Sequence, residues 1–94
     1  MKYYIAGKIT GDKDYRSKFE CAQQQLEGEG HIVLNPAVLP EGMSRADYMR
    51  ICFAMIDTAD VVAILPDSNE SCGAAVECCY CTYVGKTMIH LEVC

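Results

Sequence analysis

The chain has no tryptophan, only two phenylalanines and only three prolines among its 94 residues. It also lacks a basic cluster: eight lysines and arginines stand against thirteen acids, a formal net charge of −5. That balance disfavours nucleic-acid polymers and anionic membranes as partners, while a mononucleotide, which needs only a local nest of N–H donors, remains admissible. No apolar run reaches the roughly 18–20 residues of a membrane span. No signal peptide precedes the strand-like run that follows Met1-Lys2. Repeats, linkers and low-complexity segments are absent too. One soluble, cytoplasmic domain is the expectation.

What is present is apolar. Hydrophobic residues make up 51% of the chain, and a domain this short buries only about 60–65% of its unfolded surface. A homodimer or larger assembly is expected to cover the surplus. The seven cysteines are an odd number and read as free thiols in a reducing compartment, serving as small buried hydrophobes. Cys78-x-x-Cys81 has redox spacing but lies mid-helix, away from the dipole that lowers a thiol pKa. Cys78 and Cys79 point about 100° apart on a helix, so no metal site is expected.

The organising stretch runs from Ser71 to Gly85. It reads as a helix with Ser71 as N-cap, Gly85 as C-terminal stop and Glu77 as the one charged residue. A helix apolar nearly all round is expected to be buried on most faces. Helical side chains lean toward the N-terminus, so Glu77 covers the turn occupied by Gly73, which has no side chain. The carboxylate is therefore expected in a shallow slot aimed at the mouth of its own helix, where unpaired N–H groups favour anions. The competing reading is a carboxylate that merely reaches solvent from an imperfectly buried helix.

The remaining chain alternates strands and helices. Lys2–Ala6 reads as a first strand, and Gly7-Lys8-Ile9-Thr10-Gly11 as a loop that fits neither the Walker pattern nor GxGxxG. Asp12 or Asp14 caps a helix to about Glu27, with Phe19, Ala22 and Leu26 inward. His31–Leu34 reads as a buried second strand, with His31 a solvated residue at its start. Ser44 and Asp47 open a second helix whose segment from Ile51 to Ile56 is apolar on every face, matching core plus dimer contact. Asp60–Leu65 is a central third strand and Thr87–Leu91 a fourth. The pattern predicts an α/β fold: a small flavodoxin- or Rossmann-like three-layer sandwich on a four-stranded parallel sheet of order 2-1-3-4. Ligands of such sheets bind where strand order reverses, which would gather Tyr4, Lys8, Asn35, Ser71 and Glu77.

Tyr4-Ile5-Ala6-Gly7-Lys8-Ile9-Thr10-Gly11, Asp60-Val61-Val62-Ala63 and Ser71-x-Gly73-x-x-x-Glu77 together resemble the nucleoside 2-deoxyribosyltransferase-like superfamily. Within it the chain is most similar to the small DUF4406 proteins, and it also resembles the 2'-deoxynucleoside 5'-phosphate N-hydrolases. The resemblance implies a cofactor-free N-glycosidase or deoxyribosyltransferase that retains configuration at C1' of a nucleoside or nucleotide. It matches Glu77 to the nucleophile and Tyr4 to an assisting tyrosine. Ser71 matches a serine that helps hold the 5'-phosphate, where transferases of free nucleosides carry aspartate. Lys8 stands in place of a second phosphate-binding serine, and Gly7, Ile9, Gly11, Asn35 and Gly73 complete the expected substrate contacts. The family's acidic residue on the preceding helix falls near Arg50 to Phe53, where this sequence has none; Asp47 and Asp57 lie about a turn to either side. The family also completes its site from a neighbouring subunit, with a residue beyond the fourth strand; the sequence ends at Cys94. A nucleotide-binding module without turnover is the alternative.

Overall fold

The computed structural model describes residues 1–9, 13–66, 68 and 71–92. Short β-rich runs punctuated by glycine and proline become four parallel strands: β1 (Lys2–Ala6), β2 (Ile32–Leu34), β3 (Val61–Ile64) and β4 (Thr87–His90). Their order is β2-β1-β3-β4, as the alternation predicts. The expected third strand runs one residue past each end of β3, and the expected fourth runs one residue past the C-terminal end of β4. The C-terminal extra residues still bond: Leu65 N–H donates to the Ala6 carbonyl and Leu91 N–H to that of Ile64.

Side chains alternate across the sheet, as a pleated strand requires. Tyr4, Ala6, Val62 and Ile64 face one layer; Ile5, Ala63 and Leu65 face the other. Helix α1 (Tyr15–Gly28) covers the second face with Phe19, Ala22 and Leu26, its only buried residues. Helices α2 (Arg45–Thr58) and α3 (Cys72–Val84) cover the first. Each begins on a serine whose hydroxyl accepts an N–H three residues on: Ser44 from Asp47 and Ser71 from Ala74. Gly85 ends α3 in the left-handed region at φ 79°, which a glycine reaches without steric cost. The two helices lock together where Phe53 stacks on Tyr80, ring centroids 4.6 Å apart, and Tyr80 donates to Asp57.

Three expectations are corrected. The second strand is an edge strand, not a buried one, and Ile32 is exposed. Its apolar run resembles that of the central β3 because the sequence does not show which strand has a neighbour on both sides. His31 is not solvated: its ring lies 4.4 Å from that of Tyr3, and its Nδ1 is sealed without a partner. Helix α3 is not buried on most faces. Only Ala74, Glu77 and Cys81 are buried, while Val76, Tyr83 and Val84 are exposed. The one acid of α3 thus lies inward, beside Ala74 and Cys81, while Val76, Tyr83 and Val84 lie outward. Among the described residues, no helix is long and apolar enough to cross a membrane.

Gly7 closes β1 for want of space. A Cβ there would lie 2.7 Å from Leu65 Cδ1 and 3.1 Å from Leu65 Cβ, nearer than side chains approach. Gly7→Ala should therefore cost about 1–3 kcal/mol through forced repacking, read as a lower urea midpoint; an unchanged midpoint would refute the close packing.

Candidate active site

Tyr4 leaves the middle of β1 on the face covered by α2 and α3, and it is fully buried. Glu77 lies on the inward stripe of α3 at three and four residues from Ala74 and Cys81, and is 5% exposed. The two meet: the Tyr4 hydroxyl donates to Glu77 Oε2 at 2.5 Å. Cys52 projects from the inward side of α2 into the same buried cluster as Tyr4.

Burial and hydrogen bonding pull the acid in opposite directions. Desolvation raises the Glu77 pKa, while the hydrogen bond from Tyr4 lowers it. A hydrogen bond to a charged group contributes about 1.5–3 kcal/mol, but removing a carboxylate from water costs more. Desolvation wins, and the pKa rises from 4.5 to about 7. Glu77 therefore exchanges its proton near neutrality, and the ionised form able to act as a nucleophile is populated above about pH 7. Tyr4 is pushed well above the ordinary tyrosine range by burial and by the adjacent carboxylate, so it stays a donor.

The opening over Glu77 is narrower than the missing side chain of Gly73 implied. A Cβ at Gly73 would lie 3.4 Å from Met49 Cε and 3.8 Å from Ser71 Oγ. The space is bounded by the Met49 methyl and the helix cap. Ser71 stands at the α3 mouth, half-buried, with its hydroxyl engaged in capping.

The other expected contacts divide. Gly7 is buried against Leu65, and Lys8 and Ile9 continue the loop beyond it; the Lys8 carbonyl accepts from Lys18 Nζ at 2.9 Å. Gly11 and Asp12 lie outside the described residues. Asn35 is turned away, its amide donating to Gln23 and accepting from Ala37 N–H on the α1 side. Position at a strand end made it a candidate, but its side chain caps the 3-10 helix Pro36–Val38. Asp57 is held by Tyr80 and Asp47 by Arg50, so neither supplies a second acid beside Glu77. Sequence motifs passed over Cys52 and Met49. The signal for Cys52 was its spacing of four residues from the inward Ile56.

The six described cysteines are free thiols. Among the described residues no group of three or more His, Cys, Asp or Glu side chains is placed to hold a metal ion.

The model of the domain of unknown function DUF4406 matches residues 1–90. The chain belongs to the DUF4406 family. No curated protein matches it. Its backbone is similar to the 2-deoxyribosyltransferase of the psychrotolerant bacterium Bacillus psychrosaccharolyticus, with a TM-score of 0.78 at 22% identity over 98% of this chain and 72% of that one. It is also similar to the 2-desoxiribosyltransferase of Leishmania mexicana, with a TM-score of 0.75 at 19% identity over 97% of this chain and 63% of that one. At such identities the DUF4406 chain shares their fold.

The raised acid makes stability depend on pH. The folded state keeps the Glu77 proton to about pH 7, whereas the unfolded chain releases it near 4.5. Its contribution to folding is thus full below about 4.5 and is lost as pH rises through 7. Glu77→Gln should gain on the wild type by an amount on the order of 3 kcal/mol between pH 4.5 and 8, read by chemical denaturation across that range. A difference that does not change with pH would refute the buried, unpaired carboxylate.

Proposed function

We propose that this DUF4406 protein is an N-glycosidase or deoxyribosyltransferase of nucleotides or nucleosides. The observation that carries this reading is a buried carboxylate with a pKa near neutrality, held by a tyrosine between the sheet and α3. The structures of the same fold, which are named as deoxyribosyltransferases, support it.

In this reading an ionised Glu77 oxygen attacks C1' as the bond to the base nitrogen breaks. The departing base takes the bonding electrons and acquires a proton from solvent. Water or a second base then attacks C1' from the vacated side and loses a proton, and Glu77 leaves as a carboxylate, so configuration is retained. Tyr4 keeps the carboxylate oriented throughout. A 5'-phosphate fits the α3 mouth, where the first N–H groups and the helix dipole favour an anion. The uncharged Ser71 hydroxyl suits a phosphate there, where an aspartate would repel it. Lys8 adds a point charge from the β1 loop, with Gly7 and Ile9 beside it, and Gly73 allows close approach of the backbone at the helix mouth. No cofactor enters this chemistry.

One observation favours the alternative, a nucleotide-binding module without turnover: Glu77 is only 5% exposed. Incubation with a panel of ribo- and deoxyribonucleoside monophosphates separates the two. Turnover predicts free base by chromatography, a rate that rises with pH through about 7 as Glu77 ionises, and none from Glu77→Ala. Release that survives that substitution would defeat the mechanism. Thermal stabilisation by a nucleotide without base release would instead select the binding module.

Gly73→Ala gives a second discrimination. Alanine meets only ordinary contacts there and is favoured over glycine in a helix by about 1 kcal/mol. Stability should hold or rise while base release falls at least tenfold; unchanged release would mean the slot is unused. The reading includes a homodimer or larger assembly in the cytoplasm, supported by the exposed Val76, Tyr83 and Val84 of α3. Sedimentation should give a mass above the 10.4 kDa chain, and a monomer at micromolar concentration would contradict it.

A further inference from the structure

The loop that leaves β1 is held from two sides. On one side Gly7 rests against Leu65 at the end of β3, and a run of turns leads from there to α3. Ser68 N–H donates to the Leu65 carbonyl, and Ser71 N–H to that of Ser68. On the other side Lys18 reaches over from the start of α1. Its Nζ donates to the Lys8 carbonyl at 2.9 Å in a half-buried contact. The same ammonium lies 5.6 Å from the centre of the Phe19 ring, within reach of cation–π attraction. Ile9, one residue on, packs its side chain against the cluster under α1.

The Lys18 bond fixes a direction as well as a place. A trans peptide is planar, with its C=O and N–H pointing opposite ways, and the chain has no cis peptide among the described residues. With the Lys8 oxygen drawn to α1, the Ile9 N–H of that peptide points away from α1. Helices α2 and α3 cover the other face of the sheet, so this N–H turns toward the side that carries Glu77 and the α3 mouth. Among the described residues no backbone oxygen takes it. A charged donor on the oxygen also polarises the peptide and strengthens its N–H.

We propose that Lys18 is a positioning residue for a phosphate at the carboxyl edge: it holds the Lys8–Ile9 peptide with its oxygen toward α1 and so presents the Ile9 N–H to the anion. This role rests on the reading of the crevice as a nucleotide site, and it names the phosphorylated form as the substrate class. Lysine suits the task. Its stem spans the gap from α1, and a hydrogen bond from an ammonium is about twice as strong as one between neutral groups. No motif drew attention to it, because α1 packs on the face away from Glu77.

The test follows the Ile9 amide by nitrogen–proton NMR in the wild type, Lys18→Met and Lys18→Arg while inorganic phosphate is titrated. Methionine keeps most of the stem and loses the donor; arginine keeps a donor. In the wild type, phosphate should move the Ile9 amide proton downfield, as a new hydrogen bond does. Lys18→Met should weaken phosphate binding by about tenfold, and Lys18→Arg should recover most of that loss. Before phosphate is added, the Ile9 nitrogen of Lys18→Met should already lie upfield of the wild type, because its peptide carbonyl has lost a donor. Loss of a distant charge alone would leave that resonance in place. Lys18→Gln, too short to reach the carbonyl, replaces methionine if that variant folds poorly. A wild-type Ile9 amide that phosphate does not move would overturn the proposal, as would an unshifted Ile9 nitrogen or undiminished phosphate affinity in Lys18→Met, or an arginine variant no better than methionine. Phosphate binding that depends on Lys18 in a protein that releases no base keeps the positioning role and removes the enzymatic reading. Base release from monophosphates at equal rates in the wild type and Lys18→Met does the reverse.

Discussion

A carboxylate placed inside a 94-residue domain is the constraint on which the rest of this structure turns. Water is the best solvent a carboxylate has, and the core offers Glu77 the Tyr4 phenol as a donor in its place. That bond offsets only part of the lost hydration, and the proton is consequently held to about pH 7. A packing domain with no further purpose would be more stable with leucine or glutamine at this position. An acid retained at such a cost in stability, next to a tyrosine that stays protonated, is the pattern of a group kept for its chemistry.

The layers of the fold exist in service of that contact. Tyr4 reaches Glu77 because the pleat of β1 sends alternate residues to opposite faces, and the β2-β1-β3-β4 order sets β1 beneath α2 and α3. Both helices start at serine caps and are braced at their far ends by the Phe53–Tyr80 stack and the Tyr80–Asp57 bond. That bracing fixes the height of α3 over the sheet, and with it the distance from Glu77 to Tyr4. The outward apolar face of α3 follows from the same geometry. With the acid turned in, Val76 and Tyr83 are left facing out.

The local signals in the sequence carried most of the architecture. Caps at Ser44 and Ser71, the stop at Gly85 and the inward stripe of α1 at Phe19, Ala22 and Leu26 are all short-range patterns, and all stand in the structure. What escaped was set by tertiary neighbours. Ile32 in β2 and Val62 in β3 belong to similar apolar runs, and only the sheet order makes the first an edge residue. Asn35 sits at a strand end, yet its amide is drawn to Gln23 across the loop. The slot inferred at Gly73 was open in the helix taken alone; Met49, twenty-four positions earlier on another helix, narrows it. Cys52 was invisible for the same reason: nothing in its own helix records that it shares a buried cluster with Tyr4 of β1 and Cys81 of α3.

The claim that Glu77 attacks the sugar is tested most directly by catching the bond it would form. A nucleotide whose sugar carries a 2-fluoro group slows release of a glycosyl-enzyme ester more than its formation. After incubation and rapid acid quench, mass spectrometry of the peptides should place one sugar phosphate on the segment containing Glu77, with none on Glu77→Gln. An adduct on a different residue, or base released from that analogue in a single turnover with no adduct on Glu77, would contradict the account.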